Sequence, residues 1–141
     1  MTVMRFLDTN ILLYSISRAV AESRKREIAV ALLDQDGWTL SVQVLQEFYV
    51  QATRASRPDS IPHDIAAGLI RTWLRFRIQE TTVAVLRGAL EITAAHGFSY
   101  WDSAIIAAAR ASGCREIYSE DLSHGREVEG ILIIDPFRCS V

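Results

Sequence analysis

Short apolar runs alternate with longer segments whose apolar residues return every three or four positions, the pattern of strands interleaved with helices. Residues 3–7 form an apolar run that closes on Asp8, a strand by its length and flanks. Residues 9–17, with Ile11, Leu12 and Leu13, read as a short helix, and 19–34 as an amphipathic one. In the latter Ile28, Ala31 and Leu32 share a face, with Glu22, Arg24, Lys25 and Arg26 elsewhere. Asp36-Gly37 marks a turn, and 38–42 a second strand. A helix through Val44, Leu45, Phe48 and Ala52 ends before Pro58. Pro62 sits in the first turn of the next helix, whose Ile65, Leu69 and Trp73 recur every four residues. Residues 77–81 read as a weak strand, and 82–96 as a helix, apolar at Val83, Leu86, Leu90 and Ala94 and stopped by Gly97. A helix over 101–112 ends at Gly113, strands follow at 116–119 and 131–134, and Pro136 terminates the last. Helices between strands, and an uninterrupted Ile131-Leu132-Ile133-Ile134 run, predict a parallel sheet with helices on both faces, an α/β/α sandwich.

No linker interrupts this alternation, so a single domain is expected over residues 1–141. That length is enough to bury about two thirds of the unfolded surface. Half of the residues are hydrophobic and no low-complexity tract appears, which argues against disorder. The net charge of −2 conceals an asymmetry, because Lys25 is the sole lysine among 15 basic residues. Arginine suits phosphates and bases, although a plain preference for Arg explains the count equally well. Cys114 and Cys139 make neither a disulfide framework nor a zinc site. Arg5 and Asp8 interrupt the N-terminus before any signal-peptide core, and no apolar run reaches a membrane span. A cytoplasmic protein is expected.

Charge changes the picture most at four positions: Asp8 in Phe6-Leu7-Asp8-Thr9-Asn10, Glu47 in Gln46-Glu47-Phe48, Asp102 in Trp101-Asp102-Ser103, and Asp121 in Glu120-Asp121-Leu122. Each lies at, or one turn beyond, a strand–helix junction. In an open parallel sheet those junctions converge outside the carboxyl ends of the strands. Carboxylates ~4 Å apart repel by roughly 4 kcal/mol per pair at an effective dielectric near 20, so four together call for a cation. Hard divalent ions accept such oxygens, often together with substrate phosphates. Each acid also has a structural use. Asp8 suits a helix N-cap, although Thr9 or Asn10 can cap in its place. Glu47 lies at the border of an apolar helix face. Ser99 and Asp102 have capping-box spacing, and Asp121 suits a cap or an Asx-turn. Glu120 beside it points in an undecided direction. No Gly-rich phosphate loop or nucleophile elbow is present. His63, His96 and His124 lack ligand spacing, with His124 alone near enough to Asp121 to approach the crevice.

Taken together, the Asp8-Thr9-Asn10 opening, Glu47-Phe48, Tyr100-Trp101-Asp102-Ser103-Ala104 and Ser119-Glu120-Asp121 resemble the PIN-domain ribonucleases, specifically VapC-type toxins of toxin–antitoxin pairs. The resemblance runs over essentially the whole chain. It implies that Asp8, Glu47, Asp102 and Asp121 hold Mg²⁺ or Mn²⁺, that Thr9 and Asn10 orient the first carboxylate, and that Ser119 supplies a small hydroxyl. It further implies endonucleolytic cleavage of RNA, a homodimer and a small inhibitory antitoxin. Many relatives carry one more acid where this chain has Ser123; Glu120 is the residue placed to compensate. Arg18, Arg24, Lys25, Arg26, Arg54 and Arg57 are candidates for drawing in RNA, or are simply a solvated surface. An antitoxin segment bearing Arg or Lys would enter the acidic crevice, with Ile11, Leu12, Tyr14 and Ile16 as an apolar groove, or else as core or dimer contact. Two alternatives stand beside this reading. One is a non-catalytic RNA- or partner-binding module of the same fold. The other is a haloacid-dehalogenase-like phosphatase, whose second acid would fall where Asn10 stands.

Overall fold

A computed structural model describes residues 3–138; Cys139 lies outside the described residues. In chain order the elements are β1 (Arg5–Leu7), α1 (Thr9–Ser15), a 3₁₀ turn at Val20–Glu22, α2 (Ser23–Leu33), β2 (Trp38–Ser41), α3 (Val42–Ala52) and α4 (His63–Trp73). They continue with β3 (Arg77–Gln79), α5 (Val83–His96), α6 (Tyr100–Ala111), β4 (Glu116–Tyr118), β5 (Glu127–Val128) and β6 (Ile131–Ile134). The six strands form one sheet in the order β3-β2-β1-β4-β6-β5.

From β1 the chain moves to one side of the sheet through β2 and β3, then crosses to the other side at β4. The switch in direction therefore lies between β1 and β4, which pair in parallel with Leu7 opposite Tyr118. Both strands end there, and the residues that follow emerge side by side in the crevice such a switch creates. The pairing continues one step past the strands, where the Asp8 amide donates to the Tyr118 carbonyl at 3.0 Å.

The expected all-parallel sheet needs one correction, because β5 pairs antiparallel with β6. The two residues joining them, Glu129 (φ 52°) and Gly130 (φ 80°), both take the positive φ of a type I′ hairpin. With Glu where Asn or Asp usually stands, no hairpin signal showed in the sequence. The partner also alters β6, in which Ile131 and Ile133 are buried and Leu132 is exposed, rather than the run being covered on both faces.

Three helices start where a hydroxyl can cap them. Ser41 accepts from the Val44 amide at 3.2 Å, Thr82 from Val85 at 3.1 Å and Ser99 from Asp102 at 3.2 Å. The Ser41 cap ends β2 one residue before the expected boundary, so Val42 opens α3. Gly97, at φ 75°, closes α5 in the left-handed conformation as its sequence signalled. Pro62 is the N-cap position of α4 rather than part of its first turn.

The largest departure is in α5. Val83, Leu86, Leu90 and Ala94 face solvent, Leu90 at 56% exposure, while Val85, Ala89 and Ile92 are buried. This helix carries two apolar stripes, and its partner selects between them. α6 is buried from Ser103 through Ala109, and its small side chains allow close approach. A Cβ added at Gly88 would stand 3.3 Å from the Cβ of Ala107. The same choice falls against Ala31 in α2, where Ala29 and Leu33 are buried instead, and against Ile65 in α4, where Ala66 and Trp73 are.

Truncating buried Ile92 to Ala should cost about 2–5 kcal/mol. The same change at Ile65, 53% exposed, should cost no more than about 0.5 kcal/mol. Urea unfolding measures both, and equal losses would contradict this assignment of helix faces.

Candidate active site

Asp8 leaves β1 in extended geometry and caps α1. Its Oδ1 accepts from the Thr9 amide at 2.7 Å and its Oδ2 from the Ser119 hydroxyl at 2.7 Å. Capping and facing the crevice, posed by the sequence as alternatives, are thus combined in one side chain. The Ser119 oxygen also accepts from the Asn10 side-chain amide at 3.2 Å and from the Asp121 amide at 3.1 Å. That saturates a fully buried hydroxyl. Asn10 Nδ2 reaches Asp121 Oδ2 at 3.2 Å, and its Oδ1 accepts from the Glu120 amide at 3.3 Å, which sets the amide's orientation. Thr9 Oγ1 donates to Glu47 Oε1 at 3.0 Å. Asp102 stands in the first turn of α6, its amide donating to the Ser99 hydroxyl.

All four acids line a single cavity of about 210 Å³, with Thr9, Asn10, Leu13, Gln51 and Ile105. None of its lining residues is basic. The electrostatic cost appears in the first carboxyl. Burial pushes Asp8 up to about 6, against the hydrogen bonds of Ser119 and Thr9, and the charges of Glu47 and Asp121 add to the rise. Burial also raises Glu47, opposed by Thr9 and Gln43 and reinforced by the charge of Asp102.

Among the described residues no three His, Cys, Asp or Glu side chains come close enough together to hold a metal ion between them; the four acids line the cavity without converging on one point. An open ring fits Mg²⁺, which keeps several waters and takes one or two carboxylates together with substrate phosphates. The donor set, all hard oxygen with no Cys or His in the lining, fits the same ion.

Several sequence-level candidates lie elsewhere. Glu120 turns from the cavity to Lys25, its salt-bridge partner, and to the Tyr14 hydroxyl at 2.5 Å. It therefore does not line the cavity as a substitute for the acid absent at Ser123, and Lys25 is neutralised rather than free for phosphate. Arg24 donates to the Phe137 carbonyl at 2.8 Å and Arg57 to Asp59 at 2.7 Å, whereas Arg18, Arg26 and Arg54 are exposed. His124 Nδ1 accepts from the Asp135 amide at 2.9 Å, outside the cavity. Of the two uses weighed for α1, groove or core, Ile11 and Leu12 are fully buried core, whereas Tyr14 and Ile16 are partly buried and pack against it. Sequence reasoning missed Gln43 and Gln51, which bracket Glu47 at four-residue spacing and so share its helix face. That spacing was the available signal.

The PIN domain family model matches residues 5–126. Among solved structures the fold is similar to a toxin–antitoxin complex from Klebsiella pneumoniae (15% identity, TM-score 0.71, covering 96% of this chain and 99% of that one). It is also similar to the sarcin–ricin-loop-cleaving toxin VapC20 of Mycobacterium tuberculosis (22% identity, TM-score 0.64, 83% and 89% covered). A third is DNA-bound VapBC of Salmonella typhimurium (18% identity, TM-score 0.65, 96% and 99% covered). At these identities the likeness is one of fold. No curated protein matches the sequence significantly.

Because the folded protein holds Asp8 near 6 against an ordinary 3.8, folding favours its protonated form. The stabilisation is complete below the unfolded value and is lost as pH rises through the folded one. Metal-free protein should therefore lose stability between about pH 4 and 6 relative to Asp8→Asn, by roughly 3 kcal/mol, since a tenfold shift in protonation is worth ~1.4 kcal/mol. Parallel unfolding curves for the two proteins in EDTA across that range would contradict the buried-carboxyl assignment.

Proposed function

Starting from the fact that this chain belongs to the PIN-domain family, whose match spans all four acids, we propose that it is a metal-dependent endoribonuclease and the VapC-type toxin of a toxin–antitoxin pair. The observation that carries the reading is the ring of Asp8, Glu47, Asp102 and Asp121 around one cavity at the β1–β4 switch. Its support as a toxin comes from the fold's likeness to toxin–antitoxin complexes and to a toxin that cleaves the sarcin–ricin loop. The family match leaves no basis for the phosphatase alternative, and Asn10, at the place of that enzyme's second acid, instead holds Asp121.

The four carboxylates are the residues that would hold Mg²⁺ or Mn²⁺. A bound ion supplies an acidified water and neutralises charge developing on the phosphodiester. The chain does the positioning. Ser119 and the Thr9 amide fix both oxygens of Asp8, Thr9 Oγ1 fixes Glu47, and Asn10 draws Asp121 inward. Asp102 or Asp121 accepts the proton as water adds to phosphorus and the bond to the leaving oxygen breaks. The absence of basic residues from the cavity lining leaves phosphate attraction to the exposed arginines outside it, Arg18, Arg26 and Arg54.

The same cavity is complementary to a guanidinium, so the antitoxin inhibits by inserting an Arg- or Lys-bearing segment. The exposed stripe of Val83, Leu86 and Leu90 on α5 supports the homodimer, since apolar side chains grouped on one surface mark an interface. No helix among the described residues is long and apolar enough to cross a membrane.

Asp8→Asn keeps the volume and the cap but removes a carboxylate. RNA cleavage should fall by roughly 100-fold or more, the scale of losing one preorganised electrostatic contact, while the melting temperature at pH 7 holds or rises. A cleavage assay in Mg²⁺ beside a thermal melt reads both, and a folded mutant that cuts at the wild-type rate would sink the four-acid reading.

A further inference from the structure

Directly beside the acidic cavity lies a second hollow of about 290 Å³, lined by Gln43, Gln46, Glu47, Val50, Gln51 and Trp101. Glu47 and Gln51 line both spaces, so the two are neighbours that share a wall. We propose that Trp101 and this hollow form a stacking subsite for the nucleobase flanking the scissile phosphate, an inference that rests on the nuclease reading above.

Trp101 is 64% exposed, whereas Trp38 and Trp73 are buried. This large indole stands mostly outside the core, next in sequence to a carboxylate of the cavity. Its setting is nevertheless ordered. The Trp101 carbonyl accepts from Gln43 Nε2 at 3.2 Å, and Tyr100 packs edge-on against the indole with ring centroids 5.0 Å apart. The first contact fixes the backbone that carries the indole and the second covers one edge of the ring, which limits the freedom a stacking ligand must remove.

The chemistry of the hollow selects the occupant. Val50 and Trp101 supply apolar surface, and the exposed amides of Gln46 and Gln51 offer donors and acceptors at its edge. None of its lining residues is basic, so it is not built for phosphate. The volume lies at the bottom of the roughly 300–1,000 Å³ range of small-molecule sites, suited to one planar ring system. A neutral, flat, hydrogen-bonding ring attached to a phosphate in the neighbouring cavity is a nucleobase. Stacking requires that base to be unpaired, so the subsite favours single-stranded RNA or loops.

The test uses the full chain. With Trp38 and Trp73 buried, the emission that iodide quenches belongs to Trp101. In the Asp8→Asn background, a short single-stranded RNA oligonucleotide should shield that emission from iodide, and the same backbone made abasic should not. In the active protein Trp101→Ala should raise KM for the oligonucleotide about 5- to 150-fold, the range of one base–aromatic stack. Its kcat should stay within about twofold, as expected for uniform binding, and Trp101→Phe should recover most of the loss. Thermal melts confirm folding; should Trp101→Ala unfold, Trp101→Phe and the iodide experiment still decide. A wild type that cuts RNA while Trp101→Ala binds and cuts equally well overturns the subsite alone. Trp101 inaccessible to iodide in the free protein, covered by a second copy, overturns it too. Wild-type protein that cuts no RNA overturns the nuclease reading and the subsite with it.

Discussion

Everything at the acidic cavity depends on the parallel pairing of β1 with β4. Leu7 stands opposite Tyr118 in the last register of that pair, so Asp8 and Ser119 leave the sheet side by side although 111 residues separate them in sequence. A single hydroxyl then joins the two ends. Ser119 donates to Asp8 and accepts from Asn10 and from the Asp121 amide. A slip of one residue in the β1–β4 register would turn these side chains to opposite faces and break the network at every member. Glu47 and Asp102 reach the same space from α3 and α6, each starting at a serine cap, Ser41 and Ser99. The position of each acid is thus inherited from a backbone feature rather than from a flexible loop.

That arrangement sets stability against function. The cavity gathers four carboxyl groups with no basic residue in its lining, and burial holds Asp8 up to about 6. The chain offsets part of the cost with hydrogen bonds from Thr9, Ser119 and Asn10, and the rest persists as repulsion that a divalent cation would relieve. Two cations of the surrounding surface have other partners. Lys25 is joined to Glu120 and Arg57 to Asp59, which leaves the negative field of the cavity uncancelled from those positions. A cluster arranged in this way is readily explained as a binding site and poorly explained as a stabilising one.

Much of this was legible in the sequence, for reasons that can be named. Strands of three or four residues ending at an acid or a serine, and caps such as Ser41, Thr82 and Ser99, are local signals, and local signals survive without tertiary context. The four acids were readable because a parallel sheet brings strand ends together. Their convergence on one cavity follows from the crossing between β3 and β4, which a linear pattern only implies. What was not legible depended on partners. α5 has apolar residues on two faces, and the small-residue surface of α6 decides for Val85, Ala89 and Ile92 over Val83, Leu86 and Leu90. Ile11 and Leu12 looked equally suited to a groove or a core, and the packing of α2 and α3 against α1 goes with their full burial. β5 is two residues long, and its Glu129-Gly130 turn lacks the usual Asn-Gly or Asp-Gly signature. The direction of Glu120 was settled by Lys25 and Tyr14, residues about a hundred positions away.

The central claim is that the carboxylate ring is incomplete without a divalent cation. Titration calorimetry with Mn²⁺ at pH 6, repeated in buffers of different ionisation enthalpy, tests it most directly. A carboxyl held near 6 is partly protonated at that pH, and a ligating oxygen must give up its proton. The account expects saturable binding with release of a fraction of a proton, and no such release from Asp8→Asn. Absence of binding, or binding with identical proton release from both proteins, would contradict it.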